Sequence, residues 1–343
     1  MEFKVSELDE KLAYLAFGVT KTVSQLAYAD CVMFNEGKAY TFSGGAMASV
    51  ALDIGFVGAV NYLDFSKLIR SLTYMDPDTV VDLVVTDHVL SAKWGRSETK
   101  FPFSRMVPMT LDTLGEPDPA SWKLVPDGFK QAIKKCEAIF TRQVISDSIL
   151  SCINVTGEYM EAATPDQVIR VKCPFETPYP FLVKFGRLGK LFGAKFPDPA
   201  EYQVCGKWLF FRTFDIVFGI PISFDSFVAI DRFFVSDGEE VVFPDADSLD
   251  LTFFQSFYQN GGSGIRVEFL GDKCSLSIKT KRGQHFLEIP LKCPENETYI
   301  MTPGLLRVLA KYGKCSFNGS SVHVNTDSVN YAASVTREGV DVI

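Results

Sequence analysis

The stretch Phe181–Phe196 reads FLVKFGRLGKLFGAKF. It holds Lys184, Arg187, Lys190 and Lys195, and no acid occurs between Glu176 and Asp198. Steps of three residues place Lys184, Arg187 and Lys190 along one side of a helix. Leu182, Phe185, Leu188, Leu191 and Phe192 fall on the other side, as a core face. The spacing therefore predicts an amphipathic helix with a cationic outer stripe. Gly186, Gly189 and Gly193 count against it, since each glycine weakens a helix by about 1 kcal/mol relative to alanine.

Two other segments look like weaker copies. Leu63–Leu72 carries Lys67 and Arg70, and Met301–Gly313 carries Arg307 and Lys311, with Lys314 just beyond. The chain around them is acidic, with 34 Lys and Arg against 42 Asp and Glu in 343 residues, a net charge of −8. Residues 1–118, 119–228 and 229–343 carry −6, +2 and −4. A protein that coats nucleic acid over its whole surface is basic overall, so any nucleic-acid contact here is confined to one face.

These lengths are also the domain boundaries that the pattern predicts. Each third reads strand, helix, strands, helix, strands. The first helices are expected at Glu7–Thr20 (Ser6 as N-cap, Asp9 closing a capping box), Asp127–Phe140 and Leu249–Gln259. Lys11, with Lys21 just past the helix, and Lys130, Lys134 and Lys135 give the first two of these helices outward cations. The third has none. A Pro-rich acidic stretch, Gly115–Ala120, reads as a linker. Asp76-Pro77 and Asp198-Pro199 stand 122 residues apart at the same step of their thirds. A strand at Phe227–Val235 opens the last third. The fold class is a triplicated α+β domain, each copy packing two helices on antiparallel sheets. With their cations on the outer faces, those helices suit sequence-independent attraction to phosphates; the bland alternative is solvated helix surface.

Enzyme chemistry finds no foothold. Gly186-Arg187-Leu188-Gly189-Lys190 lacks the spacing and the Ser or Thr of a phosphate-binding loop, and no GxSxG, HExxH or GxGxxG occurs. His88, His285 and His323 lack metal-ligand spacing. Acidic loops at Asp76/Asp78 and Asp198/Glu201 read as solvated turns ahead of strands. The eight cysteines form no CxxC pair and read as small buried hydrophobes of a reducing compartment. The N-terminus lacks a signal core and no run nears 18 apolar residues, so a soluble cytoplasmic protein is expected.

The triplication resembles the DNA sliding clamps of the three-domain bacterial and phage type. Cys31–Phe42, CVMFNEGKAYTF, resembles that family's first hairpin. Ile153–Ala162, INVTGEYMEA, resembles its middle-domain segment around Thr-Asp-Gly-His-Arg-Leu. Phe243-Pro244-Asp245 resembles its link between domains two and three, and Tyr331–Val335 its final strand, though this chain runs eight residues further. The resemblance implies clamp domains that close head to tail, as a homodimer, into a ring around duplex DNA. The protein would tether a replicative polymerase, without enzymatic activity or cofactor, in a bacterial or phage-infected cytoplasm. Lys11, Lys21, Lys67, Arg70, Lys130, Lys134, Lys184, Arg187, Lys190, Arg307, Lys311 and Lys314 would face DNA. Thr156, Gly157, Tyr159, Met160, Pro244, Ser334 and Val335 would line a pocket for short peptides of the polymerase and clamp loader. The alternative is a β-rich assembly protein without DNA function.

Overall fold

A computed structural model describes residues 1–20, 26, 28–106, 117–140, 149–245, 249, 251–281, 283–292 and 297–337. Its element order repeats one short programme: strand, helix, then three strands. The first pass is β1 (Glu2–Lys4), α1 (Val5–Leu15), β2 (Cys31–Asn35), β3 (Lys38–Phe42) and β4 (Met47–Ala51). The second is β5 (Gly58–Asn61), α2 (Tyr62–Met75), β6 (Val80–Thr86), β7 (Val89–Trp94) and β8 (Ser97–Ser104). The third is β9 (Lys123–Leu124), α3 (Phe129–Glu137), β10 (Cys152–Val155), β11 (Tyr159–Ala163) and β12 (Gln167–Lys172). The fourth is β13 (Phe181–Lys184), α4 (Phe185–Leu191), β14 (Glu201–Cys205), β15 (Trp208–Thr213) and β16 (Ile216–Ser223). The fifth is β17 (Glu239–Val242), α5 (Leu251–Gln259), β18 (Ile265–Phe269), β19 (Lys273–Thr280) and β20 (Gly283–Pro290). The sixth is β21 (Thr298–Met301), α6 (Pro303–Tyr312), β22 (Lys314–Asn318), β23 (Ser321–Asn325) and β24 (Val329–Ser334), with β25 (Thr336–Arg337) after it. Each third of the chain thus holds two such modules, and its first strand pairs antiparallel with the strand after its second helix: β1 with β6, β9 with β14, β17 with β22.

The opening stretch corrects the sequence reading. Phe181–Lys184 is a strand paired with β16 (Leu182 opposite Ser223), and the helix spans only Phe185–Leu191. Three consecutive buried apolar residues, Phe181, Leu182 and Val183, suit a strand covered on both faces better than an amphipathic helix turn. Lys184 is therefore the residue before the helix, off its stripe. Equivalent strands, Gly58–Asn61 and Thr298–Met301, run straight into α2 and α6 with at most one residue between. All three escape the sequence reading, because the cap residues Asn61 and Thr302 mark where a helix begins and not that a strand leads into it. Two other expectations fail. α1 begins at Val5, whose N–H donates to the Thr79 carbonyl at 3.0 Å, so Ser6 is no cap. Phe227–Val235 forms no strand: a short 3-10 turn, Asp231–Phe233, sits in it, and Ile230 anchors it on Ala163, Val168 and Ala332.

The chain folds as two compact units, one of residues 1–133 and 177–225, the other of 134–176 and 226–343. The first owes its core to phenylalanine. Phe17 packs edge-on against Phe196 and Phe218 at 5.6 and 5.3 Å, and Phe129 contacts Phe192 and Phe211 at 5.2 and 5.9 Å. α1 and α2 each bury one apolar face: Leu8, Leu12 and Leu15, and Phe65, Ile69 and Leu72. In the second unit Phe243, Phe269, Tyr299 and Phe317 form a cluster, and α6 buries Leu305, Leu306 and Leu309. Pro303 opens α6 and the Thr302 hydroxyl accepts from the Leu305 N–H at 3.2 Å, as a proline-first helix requires. No helix among the described residues is long and apolar enough to cross a membrane.

Candidate functional site

The predicted cations divide into two sets. In the first unit most are occupied. Lys11 donates to the Ala51 carbonyl at 2.6 Å, and Arg70 lies 3.5 Å from Asp9. Lys130 holds both carboxylate oxygens of Asp198, at 2.6 and 2.9 Å. Lys190 donates to the Ala16 carbonyl at 3.3 Å and stands 5.2 Å from the Phe17 ring. Helix α1 has no basic residue in its last turn, so Lys190 supplies the cation its C-terminus favours. Arg187 is half-buried against Gly45, where a Cβ would come within 3.0 Å of its guanidinium, and burial lowers its pKa. Lys184 is exposed, and Lys67 is exposed on α2.

In the second unit Lys134, Arg307 and Lys311 are exposed, with Lys311 lying 5.7 Å over the Tyr312 ring. Lys314, just beyond α6, opens β22 and pairs with Glu240 at 3.1 Å. Lys21 lies outside the described residues. Lys67, Lys134, Arg307 and Lys311 make no ion pair among the described residues. The acidic loops are likewise engaged: Asp78 with Lys4 at 3.2 Å, Asp198 with Lys130, Glu201 with Arg212 at 2.6 Å.

The second unit also contains a pocket of about 640 Å³. Five segments line it: Leu150, the β11–β12 turn from Ala163 to Val168, the connector around Val228, Arg232 and Phe233, the β22–β23 hairpin at Asn318, Ser321 and His323, and the end of β24, Ala332–Ser334. Of the seven predicted pocket residues only Ser334 lines it. Thr156 and Gly157 make the preceding β10–β11 turn, where the Thr156 hydroxyl accepts from the Tyr159 N–H at 2.9 Å. Met160 and Val335 are buried, and Pro244 follows β17. Thr164-Pro165-Asp166, a turn motif between two apolar strands, lines the pocket and is readable in the sequence.

Arg170 fixes one wall of this pocket. Its guanidinium binds the buried Glu161 at 2.6 Å and Asp231 at 2.7 Å, between the rings of Tyr159 and Phe234 at 5.2 Å each. Asn154 donates to the other Glu161 oxygen at 2.7 Å. Burial alone would lower the Arg170 pKa, and the hydrogen bonds to Asp231 and Glu161 outweigh it, so the pKa rises. The polar end of the pocket is built on His323, which is buried, with its Nε2 2.7 Å from the Ser321 hydroxyl. Burial lowers the His323 pKa, with weaker opposing pulls from the Phe233 backbone and Asp237. Gln167, at the pocket rim, accepts from the Tyr331 hydroxyl at 3.0 Å.

Cys31 and Cys173 are held as thiols. Burial pushes Cys31 up to about 12, helped by Asp30, and Cys173 up to about 11.

No protein-family model matches the chain, and no curated protein matches it by sequence. Solved structures do. A chain from Eubacterium rectale described as a DNA polymerase III β subunit superposes with a TM-score of 0.80 at 10% identity, over 98% of both chains. The sliding clamp of Pseudomonas aeruginosa bound to griselimycin gives 0.77 at 13%, over 98% of this chain and 99% of that one. The β chain of DNA polymerase III from Streptococcus pneumoniae gives 0.78 at 15%, over the same shares. At these identities the likeness establishes architecture, and it spans the chain from end to end: this protein has the fold of the DNA polymerase III β sliding clamps.

Proposed function

We propose that the chain is a DNA sliding clamp, a non-enzymatic processivity factor that encircles duplex DNA and tethers a polymerase. The observation that carries this is the six-module architecture, matched over 98% of its length by bacterial clamps. On this reading the chain has three domains, 1–118, 119–228 and 229–343, and two copies close the ring head to tail. Lys67, Lys134, Arg307 and Lys311 attract phosphates in passing, while topology keeps the protein on DNA. An acidic exterior is compatible with a positive hole. The pocket beside Ser334 takes short peptides of the polymerase and clamp loader, an apolar floor with a few polar groups at its rim. The protein works in the cytoplasm of a bacterial or phage-infected cell. Retention on nicked circular DNA that is lost when the DNA is linearised tests the proposal; equal retention on both forms rejects it.

A further inference from the structure

The pocket of the second unit stands on two hairpins that meet side by side, and the first unit contains the same pair. In the second unit β24 runs antiparallel to β12, with Ala332 opposite Val168. In the first β16 runs antiparallel to β4, with Gly219 opposite Met47. The flanking strands keep the same step. Ala163 lies opposite Val168 and His323 opposite Ala332, as Phe42 lies opposite Met47 and Phe210 opposite Gly219. Ser321 lies opposite Ser334, as Trp208 does Pro221. The turns agree too: the Thr164 N–H donates to the Gln167 carbonyl at 2.7 Å, and the Ser43 N–H to the Ala46 carbonyl at 3.1 Å. The strand residues named from the second unit all line the pocket.

The side chains at these positions differ in size. Where the second unit has Ala163, Val168, Ser321 and His323, the first has Phe42, Met47, Trp208 and Phe210. Residues opposed across an antiparallel ladder share a face, so these four rise from the face that carries the cavity in the second unit. They fill it. The Phe42 ring lies 5.9 Å from Trp208, which stacks on Phe210 at 6.2 Å. Met47 and Phe210 close over Gly219, where a Cβ would meet them at 2.8 and 3.0 Å. Met47 and Phe210 are buried, and Phe42 and Trp208 are partly buried, so those two rings form the outer layer of the filling.

We propose that the first unit holds a second copy of the peptide pocket, plugged by Phe42 and Trp208, and that this plug limits each chain to one open site for an apolar peptide. This rests on the reading of the open pocket as a peptide site and adds its valence. In the plugged copy the two rings give the sheet the apolar contact that a peptide's side chains give in the open one. Truncating them would leave an apolar cavity, which binds apolar ligands of matching size. The opened copy would lack one aid. Arg170 opposes Glu161 and braces the wall in the second unit, whereas Ser49 opposes Tyr40 in the first. Binding there should therefore be weaker than at the native pocket, by up to about tenfold.

N-acetyltryptophanamide, an indole on a peptide-like backbone, serves as the probe, titrated into the full chain by NMR. The native chain should bind one probe, and Ser334→Trp should abolish it. Phe42→Ala with Trp208→Ser installs the second unit's side chains at the plug and should raise the number bound from one to two. The second site should survive Ser334→Trp and be lost on adding Pro221→Trp, its counterpart in the first unit. Trp208→Ser alone changes only a partly buried ring; it should open the same site with lower affinity, and it decides the matter if circular dichroism shows the double variant unfolded. A folded opened variant that binds no second probe overturns the plug, as does a second site that persists with Pro221→Trp. Either result leaves the open pocket's reading standing. A native chain that binds no probe overturns both.

Discussion

Arg170 and Asp231 meet at 2.7 Å across 61 residues of chain, and their contact ties the sheet of the second unit to the connector that walls its pocket. The two ends of the pair differ in burial. The Asp231 side chain is 80% exposed, whereas Arg170 is 19% exposed and also neutralises the buried Glu161.

That asymmetry separates wall positioning from stability. Asp231→Ala should cost under about 1 kcal/mol, the range of an exposed pair, yet loosen the connector and weaken a pocket-binding polymerase peptide severalfold. Arg170→Ala strands the Glu161 carboxylate and should cost about 3 kcal/mol. Urea unfolding and calorimetry with the peptide check both. Unchanged peptide affinity in Asp231→Ala would show that the connector needs no tie.

Tyr159→Ala gives a smaller effect of the same kind. Neither Tyr159 nor Arg170 lines the pocket; Tyr159 supports its connector wall through Arg170, whose guanidinium lies 5.2 Å from the ring and binds Asp231. The stacking contact is worth about 0.5–1 kcal/mol at a partly exposed site, so peptide affinity should fall about two- to fivefold. Ser334→Trp, which places bulk in the pocket itself, should abolish binding at peptide concentrations that saturate the native protein. A Tyr159→Ala loss as large as that of Ser334→Trp would place the ring in the pocket after all.

His323 sets a pH dependence. Its folded pKa lies below the ordinary 6.5 because burial disfavours the imidazolium. Below about pH 6.5 the unfolded chain takes up a proton that the folded chain refuses, so stability falls as pH drops through that window and is flat above it. Urea midpoints at pH 7.5 and 5.5 should differ more in the native protein than in His323→Gln. An identical pH difference in both would assign the effect to other groups.

How much of this was legible in the chain follows from how strongly each signal is local. Strands such as Lys38–Phe42, Glu201–Cys205 and Ser321–Asn325 are legible from the chain alone, because β-favouring residues bounded by turn residues mark their ends. The strands at Gly58–Asn61, Phe181–Lys184 and Thr298–Met301 are too short to show alternation, and the caps Asn61 and Thr302 that follow two of them announce only the helix. Six of the seven expected pocket residues lie outside the cavity beside Ser334, because strand pairing between distant parts of the chain decides which turns converge on one cavity. The fate of the cations was beyond sequence as well. Lys190 and Lys130 look like free helix charges until Ala16 and Asp198 arrive from elsewhere in the chain.

That last distinction gives a quantitative test on DNA. The logarithm of binding affinity falls with the logarithm of salt, with a slope of about 0.9 per phosphate neutralised. Lys67→Ala, Lys134→Ala, Arg307→Ala and Lys311→Ala should each flatten that slope by up to about one unit, because none holds an internal ion pair among the described residues; urea midpoints should stay unchanged for Lys67→Ala and Arg307→Ala and fall slightly for Lys134→Ala and Lys311→Ala, which remove last-turn cations of α3 and α6. Lys190→Ala should do the reverse. It removes the cation at the end of α1 and should cost about 0.5–1 kcal/mol of stability, with the slope kept. Arg187→Glu should be worse still, since it puts a carboxylate into the half-buried site against Gly45. If Lys190→Ala flattens the slope while Lys67→Ala and Lys134→Ala leave it intact, the phosphate-facing surface is the α4 stripe, and the assignment to exposed, unpaired cations is wrong.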